Sequence, residues 1–477
     1  MEHARRLGTW WIVILLLWVL SLPAVTPRLY ASDEIQYFAY LRSLWFDQDL
    51  SFDNEYRYFA DRGIADAYGF RETFLELTTE TGRRINFATI GPAILWAPFY
   101  AVADGVARGM RAVGMPVAVD GFSRPYLAAI AYGSAFYGFL AVCLSIIAAR
   151  WLLGQGHSAG VAVWLGTPLL FYMYLAPGMA HACSAFVVSL FVMTWLTVRQ
   201  DWSTRGLITL GAVAALMAMV REQDVFFVVG PAIDYVWSMR DVWRSGDHDR
   251  LVTHLKRLTA GTAMAAVCYA PQVAAYLTLN GRLGPSSYVE NKMVWFAPYA
   301  ASVLISPQHG LIVWTPLVIV ALAGVGLVLA TGSARIPAAQ ARRVAVCLLA
   351  MFVAQVYISG SVESWTVAGT FGQRRFVGTT IILVIGLAAI MRSSGAQLIR
   401  GAILVTVAIC TWWNLGLMAQ FGAGLMDRQR LEPARNAYNT FVIVPRALPA
   451  LAYRYLFDRP SFYQDPERYE DPRPGSP

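Results

Sequence analysis

"WWIVILLLWVLSLPAVTPRLYASDEIQYFAYLRSLWF", residues 10–46, decides the fold. An apolar run fills 10–22 and is closed by Pro23 and Pro27; the acidic pair Asp33 and Glu34 follows, and then Ile35, Phe38, Leu41, Leu44 and Trp45 recur at helical spacing. The run reads as a first membrane span, retained because large residues rather than a small-residue cleavage site follow it. The second stretch reads as an amphipathic helix capped by Ser32, with its acids in the first turn, where the helix dipole favours negative charge. Such a helix is expected to lie on the membrane with its apolar stripe in lipid, holding Asp33 at headgroup depth. A carboxylate held there can act as a general base.

The rest of the chain extends this reading. Of 477 residues 57% are hydrophobic and only 14% charged, and the mean hydropathy is +0.47, far from the roughly 25% charge of a soluble domain. Apolar blocks occur at 10–26, 87–106, 126–149, 159–175, 180–198, 206–220, 225–237, 258–279, 311–330, 344–359, 376–390 and 402–420. Most are long enough to cross about 30 Å of hydrocarbon as a helix. The expected fold class is therefore an all-α polytopic membrane protein. The five cysteines show no metal spacing or CxxC pair. The net charge of +8 comes from scattered arginines at block ends, which excludes a nucleic-acid stripe.

Short basic connections at Arg5 and Arg6, Arg150, Arg199 and Arg205, 240–257, 335–343, and Arg392 and Arg400 belong on the cytoplasmic side by the positive-inside rule. All of them fit one side only if one block fails to cross. Block 87–106 is the choice, since Gly91, Pro92 and Pro98 are expected to interrupt its helix and make it re-entrant or interfacial. About eleven crossings remain, with the N-terminus inside. The expected organisation is a transmembrane module over 1–420, including an extracytoplasmic loop with interfacial helices at 31–86, and a short outer tail at 421–477. In the tail, 438–457, interrupted by Pro445 and Pro449, is expected on the interface and the end after Arg459 disordered.

Polar groups then converge on the outer side from six connections: the Asp33–Glu34 segment, the loop before His181, the turn from Arg221 to Asp224, 281–310, 361–376, and the tail. A carrier would rather place its polar groups at the bilayer midplane in two related halves, and no internal repeat is visible.

The opening, with its first span, acidic pair and following helix, resembles the GT-C glycosyltransferases, polytopic enzymes that use polyprenyl-phosphate sugars and include protein mannosyltransferases and the aminoarabinose transferases of lipid A. "GPAILWAP", 91–98, resembles their G-P-x-x-x-x-x-P segment, and the stretch beginning at Ser306 resembles a late span. "SWTVAGTFGQRRF", 364–376, is similar to W-x-x-G-x-x-F-G-x-R through Trp365, Gly369, Phe371, Gly372 and Arg374, apart from the Trp-to-Gly gap.

The resemblance implies an inverting transfer of a sugar from a polyprenyl phosphate to an acceptor hydroxyl on a lipid, glycan or protein, at the outer face of a bacterial inner (plasma) membrane. Asp33 matches the acceptor base and Glu34 its neighbour. His181 stands where the aminoarabinose transferases carry an acid, and Arg374 matches the family arginine, with Arg375 beside it.

An arginine fork suits a departing phosphate, so Arg374, Arg375, Arg221, Lys292 and Arg84 with Arg83 are the candidate phosphate partners. Against each stands a plainer role in orientation or snorkelling; Arg221 has Glu222 and Asp224 close in sequence. Glu363, Glu290 and His309 are candidates for sugar hydroxyls, with loop solvation as the plainer role. Trp365 and the other outer-loop aromatics are candidates for stacking. "DQDLSFD", 47–53, lacks the glycine and terminal glutamate of a calcium loop. No obligatory metal or cofactor is expected, and a divalent cation stays open. The expected partners are the lipid-linked donor, a hydroxyl acceptor and membrane lipids. A carrier or flippase of lipid-linked saccharides and a non-catalytic scaffold are the rival readings.

Overall fold

The computed structural model describes residues 2–367, 369–392 and 396–462, with side chains from residue 8. The tail from 463, which contains most of the end expected to be disordered, lies outside the described residues. Among these the chain is all α, apart from isolated bridges such as the antiparallel one from Thr78 to Arg84. Six helices are long and apolar enough to cross a membrane: Arg124–Leu153, His181–Val198, His248–Asn280, Ala338–Gly360, Arg374–Arg392 and Gln397–Ala423. Three shorter apolar helices, Gly8–Ala24, Thr204–Val220 and Leu317–Thr331, accompany them.

Exposure supports a membrane environment independently of length. Only 22% of the best window of His248–Asn280 and 28% of that of Gln397–Ala423 is covered by protein. Ile12, Leu16 and Leu20 of the first helix stand exposed. Apolar surface left open on this scale suits hydrocarbon and not water. The chain is a multi-pass membrane protein.

It divides into two compact units, one made of Met1–Val25, Val142–Phe171 and Val294–Pro477, the other of Thr26–Ala141 and Tyr172–Met293. In each, one pair of helices meets backbone to backbone through facing glycines. In the first unit a Cβ on Gly324 would stand 1.8 Å from the Gly386 carbonyl oxygen; in the second, one on Gly211 would stand 2.1 Å from that of Gly261. Without a hydrophobic driving force between helices in lipid, such close approach supplies the dispersion contacts that hold them.

Several expectations need correction. The helix at 32 starts at Ser32, but its cap position is Ala31, and the capping group is the Glu34 carboxylate, whose Oε2 accepts from the Tyr30 and Ala31 backbone N–H at 3.0 and 3.1 Å. Its apolar stripe does not face lipid. Ile35 and Phe38 are fully buried and Leu41 nearly so, and Phe38 packs against Phe59 and Phe122 at centroid distances of 5.9 and 5.7 Å. Tyr40 and Ala39 are buried as well, so protein covers the helix beyond its apolar stripe; Leu44 and Trp45, in the turn that follows, are exposed.

Block 87–106 is not interrupted either. Gly91–Ala112 is one helix with Pro92 in its first turn, where a missing N–H costs nothing, and Pro98 inside it. It is not among the apolar spans.

Nine of the eleven expected crossings coincide with the long and shorter apolar helices. Of the other two, block 159–175 is broken, at Thr167 and Pro168, into His157–Gly166 and Leu169–Tyr174. Block 225–237 opens as a 3-10 helix, Glu222–Val228, and continues as Val229–Arg244. It runs parallel to His181–Val198, joined by Ser184 to Asp224, Trp195 to Asp234 and Trp202 to Ser238. The rungs are evenly matched, since the 184–195 stretch of α-helix and the part-3-10 stretch 224–234 both rise about 17 Å. In the tail, Pro445 and Pro449 do not break Val444–Phe457. The tail is clasped by Gln420 to Thr440 (2.8 Å) and Tyr455 to the Ala24 carbonyl (2.7 Å).

Candidate functional site

In the second unit the acidic pair is divided by the helix it begins. Glu34 is fully buried, while Asp33, one residue earlier, is partly exposed. Besides capping its helix, Glu34 sets Oε1 against the loop before His181; a Cβ on Gly178 would come within 3.1 Å of it. Burial pushes the Glu34 carboxyl up to about 7, and Asp33 adds to the shift. The Tyr30 and Ala31 N–H groups and the nearby Arg28 guanidinium oppose it.

Two residues on, Gln36 ties the helix to the stretch before Gly91. Its Oε1 accepts from the Phe87 N–H at 2.6 Å, and its carbonyl accepts from Asn86 Nδ2 at 3.0 Å. Thr89 donates to the Val220 carbonyl (2.9 Å), and Gly91 rests so closely on Met219 that a Cβ would stand 2.3 Å from its carbonyl carbon. This contact explains the Gly-Pro start physically. Only glycine fits against the turn that leads into Arg221, and proline then begins the helix.

At that turn Arg221 donates to the Gln223 side-chain oxygen at 2.7 and 3.2 Å, in the amide orientation that satisfies both groups. Ser184 donates to Asp224 at 2.6 Å. Burial pushes the Glu222 carboxyl up to about 7. His181, one turn before Ser184, is buried with its ring edge-on to Tyr172 at 4.5 Å. Four connections thus meet within this unit: 28–36, 86–91, 176–184 and 220–224.

The remaining second-unit candidates stand apart in chemistry. Arg84 pairs with Asp53 at 2.9 Å and donates to the Leu75 carbonyl; Arg83 donates to the Leu50 carbonyl at 3.2 Å. Lys292 is exposed, 5.2 Å over the Phe87 ring, and Glu290 pairs with Arg282. The acids of 47–53 serve local contacts: Asp47 pairs with Arg42, Asp49 accepts from Ser43 at 2.8 Å, and Asp53 pairs with Arg84. Among the described residues no group of three or more His, Cys, Asp or Glu could hold a metal.

In the first unit the segment 364–376 is a turn built on an aromatic anchor. Phe371 stacks on Phe171 at 4.8 Å and meets Trp314 and Phe421 edge-on. Gly369 and Gly372 take positive φ (74° and 60°), the left-handed region that glycine enters without a Cβ penalty. A Cβ on Gly372 would also meet Pro168 at 2.8 Å. Gln373 then donates to the carbonyls of His309 and Trp365, both at 3.1 Å, and the chain delivers Arg374, partly exposed, and Arg375, buried. Arg375 donates to the Ser359 and Ser364 carbonyls at 3.1 Å, so it holds the turn together from inside.

His309, expected as a solvated loop residue, is instead fully buried. It stacks on Trp314 at 4.8 Å and shares a 2.8 Å hydrogen bond with the Thr370 carbonyl. Burial lowers its pKa to about 4, with the Arg374 charge adding to the effect, so the imidazole is neutral at physiological pH. Trp365 stacks on Tyr299 at 6.0 Å and Glu363 is exposed.

Sequence reasoning passed over Arg28, Gln36, Ser184 and Gln373. Arg28 had a visible signal, a lone cation between Pro27 and the acidic pair. The other three carry none, since their roles depend on which loops the fold brings together. No family model matches the chain and no curated protein matches it.

Proposed function

We propose that this protein is a GT-C-type glycosyltransferase that moves a sugar from a polyprenyl phosphate to an acceptor hydroxyl at the outer membrane face, with Asp33 as the general base. The observation that supports it most is the division within the acidic pair. Glu34 is committed to its helix start, whereas Asp33 keeps partial exposure on a helix held rigid by buried neighbours. A base must be both positioned and reachable. Inversion follows if the Asp33-activated hydroxyl attacks the anomeric carbon from the face opposite the phosphate. The C–O bond to phosphate breaks as the new glycosidic bond forms, and the proton passes to Asp33. Cations near the leaving phosphate replace protonation of it. Arg28 and Arg221 are the second-unit residues suited to this role, and Arg374 is the one that the resemblance assigns.

The test is transfer from a radiolabelled polyprenyl-phosphate sugar in membranes carrying wild type or Asp33→Asn. The expected loss is about 10² to 10⁴-fold, with the melting temperature unchanged. Transfer retained within about twofold removes Asp33 from the mechanism.

Transport of a lipid-linked saccharide draws support from one feature, the buried pair at the end of His181–Val198 in which Arg199 forks onto Asp234 at 2.7 and 3.1 Å, since buried charges in membrane proteins often mark pathways. Replacing both by leucine leaves an enzyme's transfer intact and abolishes a carrier's flux.

A further inference from the structure

The helices of the first unit carry Arg150, Arg335, Arg342, Arg343, Arg392 and Arg400 at one set of ends, and the stretches around them are free of acids: residues 142–171, 317–362 and 364–426 contain neither Asp nor Glu. The corresponding basic connections of the second unit differ, with Asp201, Asp241, Asp247 and Asp249 interleaved among their arginines.

At the acid-free ends lies a cleft of about 320 Å³. Leu153, Leu327, Val328 and Ala389 form its apolar part, and Ser333 and Arg392 stand among its polar lining. Two guanidinium groups converge on one dipeptide of its wall. Arg392 donates to the Leu153 carbonyl at 2.7 Å. Arg335 lies against the next residue, Gly154, where a Cβ would stand 2.8 Å from its Nε. The Thr331 and Ser333 hydroxyls already donate to the Leu327 and Leu152 carbonyls, so they neutralise neither cation.

Two like charges held beside an apolar floor, with no acid in the flanking helices, set up a positive field that favours an anion from outside the chain. At the end of membrane-spanning helices that anion is a lipid phosphate, and the floor suits the upper methylenes of its chains. We propose that this cleft binds an anionic phospholipid, its phosphodiester held between Arg335 and Arg392 and its chains passing over Leu327 and Ala389. By the positive-inside rule the site faces the cytoplasmic leaflet. It is independent of the sugar-transfer reading.

The probe is native mass spectrometry of the full chain released from nanodiscs of equal phosphatidylglycerol and phosphatidylcholine. Wild type should retain phosphatidylglycerol in preference, Arg335→Gln should weaken retention about fivefold, and Arg335→Gln with Arg392→Gln about 25-fold. Because Arg335 is exposed, its single variant keeps the fold and the test stands even if the double variant does not. Arg250→Gln, the same charge change on the second unit, should leave retention unchanged. Equal retention of the two lipids by wild type, or undiminished retention by Arg335→Gln, overturns the proposal. So does an equal loss in Arg250→Gln, which reports general charge. Displacement by soluble glycerol phosphate as effective as by lipid also overturns it, in favour of a free-phosphate site.

Discussion

The two units satisfy their buried polar groups by different chemistry. The second unit buries carboxylates against polar side chains: Asp234 against Arg199, Glu55 against Arg42 at 2.9 Å, Asp224 against Ser184. The first satisfies its own with backbone carbonyls and amides, as Arg375 does on Ser359 and Ser364 and Asn414 on Leu165 and Thr167. A carbonyl does not titrate, and a carboxylate does. The second unit is therefore the one whose stability answers to single charge changes and, through its buried carboxyls, to rising pH; the first answers to pH on the acid side, where the buried neutral His309 must charge.

The largest expected effect tests this directly. Asp234→Asn strands Arg199 in the interior and should cost about 3 to 5 kcal/mol, seen as a lower melting temperature or loss of monodisperse protein. Replacing both residues by leucine should recover most of that loss. If the single variant melts like wild type, the pair is not the buried anchor described here. In the first unit Arg375→Gln gives up hydrogen bonds to carbonyls without stranding a charge, and should cost less, about 1 to 3 kcal/mol.

The pH effect comes next. Glu34 and Glu222 both have folded pKa values raised from 4.5 to about 7. The folded state therefore binds more protons than the unfolded state between these values, and stability falls as pH rises across that window before levelling above it. Melting temperatures measured from pH 5 to 8 should decline by several degrees, and Glu222→Gln should flatten the slope. A rise with pH over this range contradicts the assignment. The smallest effect is expected at Glu363, which is exposed in the first unit; Glu363→Ala should leave stability within about 0.5 kcal/mol by denaturant titration.

Much of this was legible in sequence because chain length and apolarity dictate helices wherever hydrocarbon is the solvent. Most of the blocks emerged as helices, and the glycines of 369–374 fell at turns that require them. The orientation of the opening helix was not legible. Ile35, Phe38 and Leu41 mark an apolar face, but periodicity does not distinguish lipid from protein as the medium that covers it. Pro98 and Pro449 were misleading for a related reason, since a helix packed in a low-dielectric setting gains too much from its remaining hydrogen bonds to stop at one missing donor. The 3-10 opening at Glu222 was invisible because its length is set by a partner helix. In the candidate site, Asp33 and Glu34 stood out as a pair, yet only the fold separates a capping acid from an accessible one.

The facing glycines have a mechanical consequence. Where Gly324 meets Gly386 and Gly211 meets Gly261, each peptide carbonyl occupies the notch that a missing methyl leaves. Two rods notched in this way are locked lengthwise like a lap joint. Sliding of one past the other is blocked by backbone rather than by side chains that can turn aside. Whatever molecule this protein accommodates, room for it has to come from bending loops and not from shifting these rods.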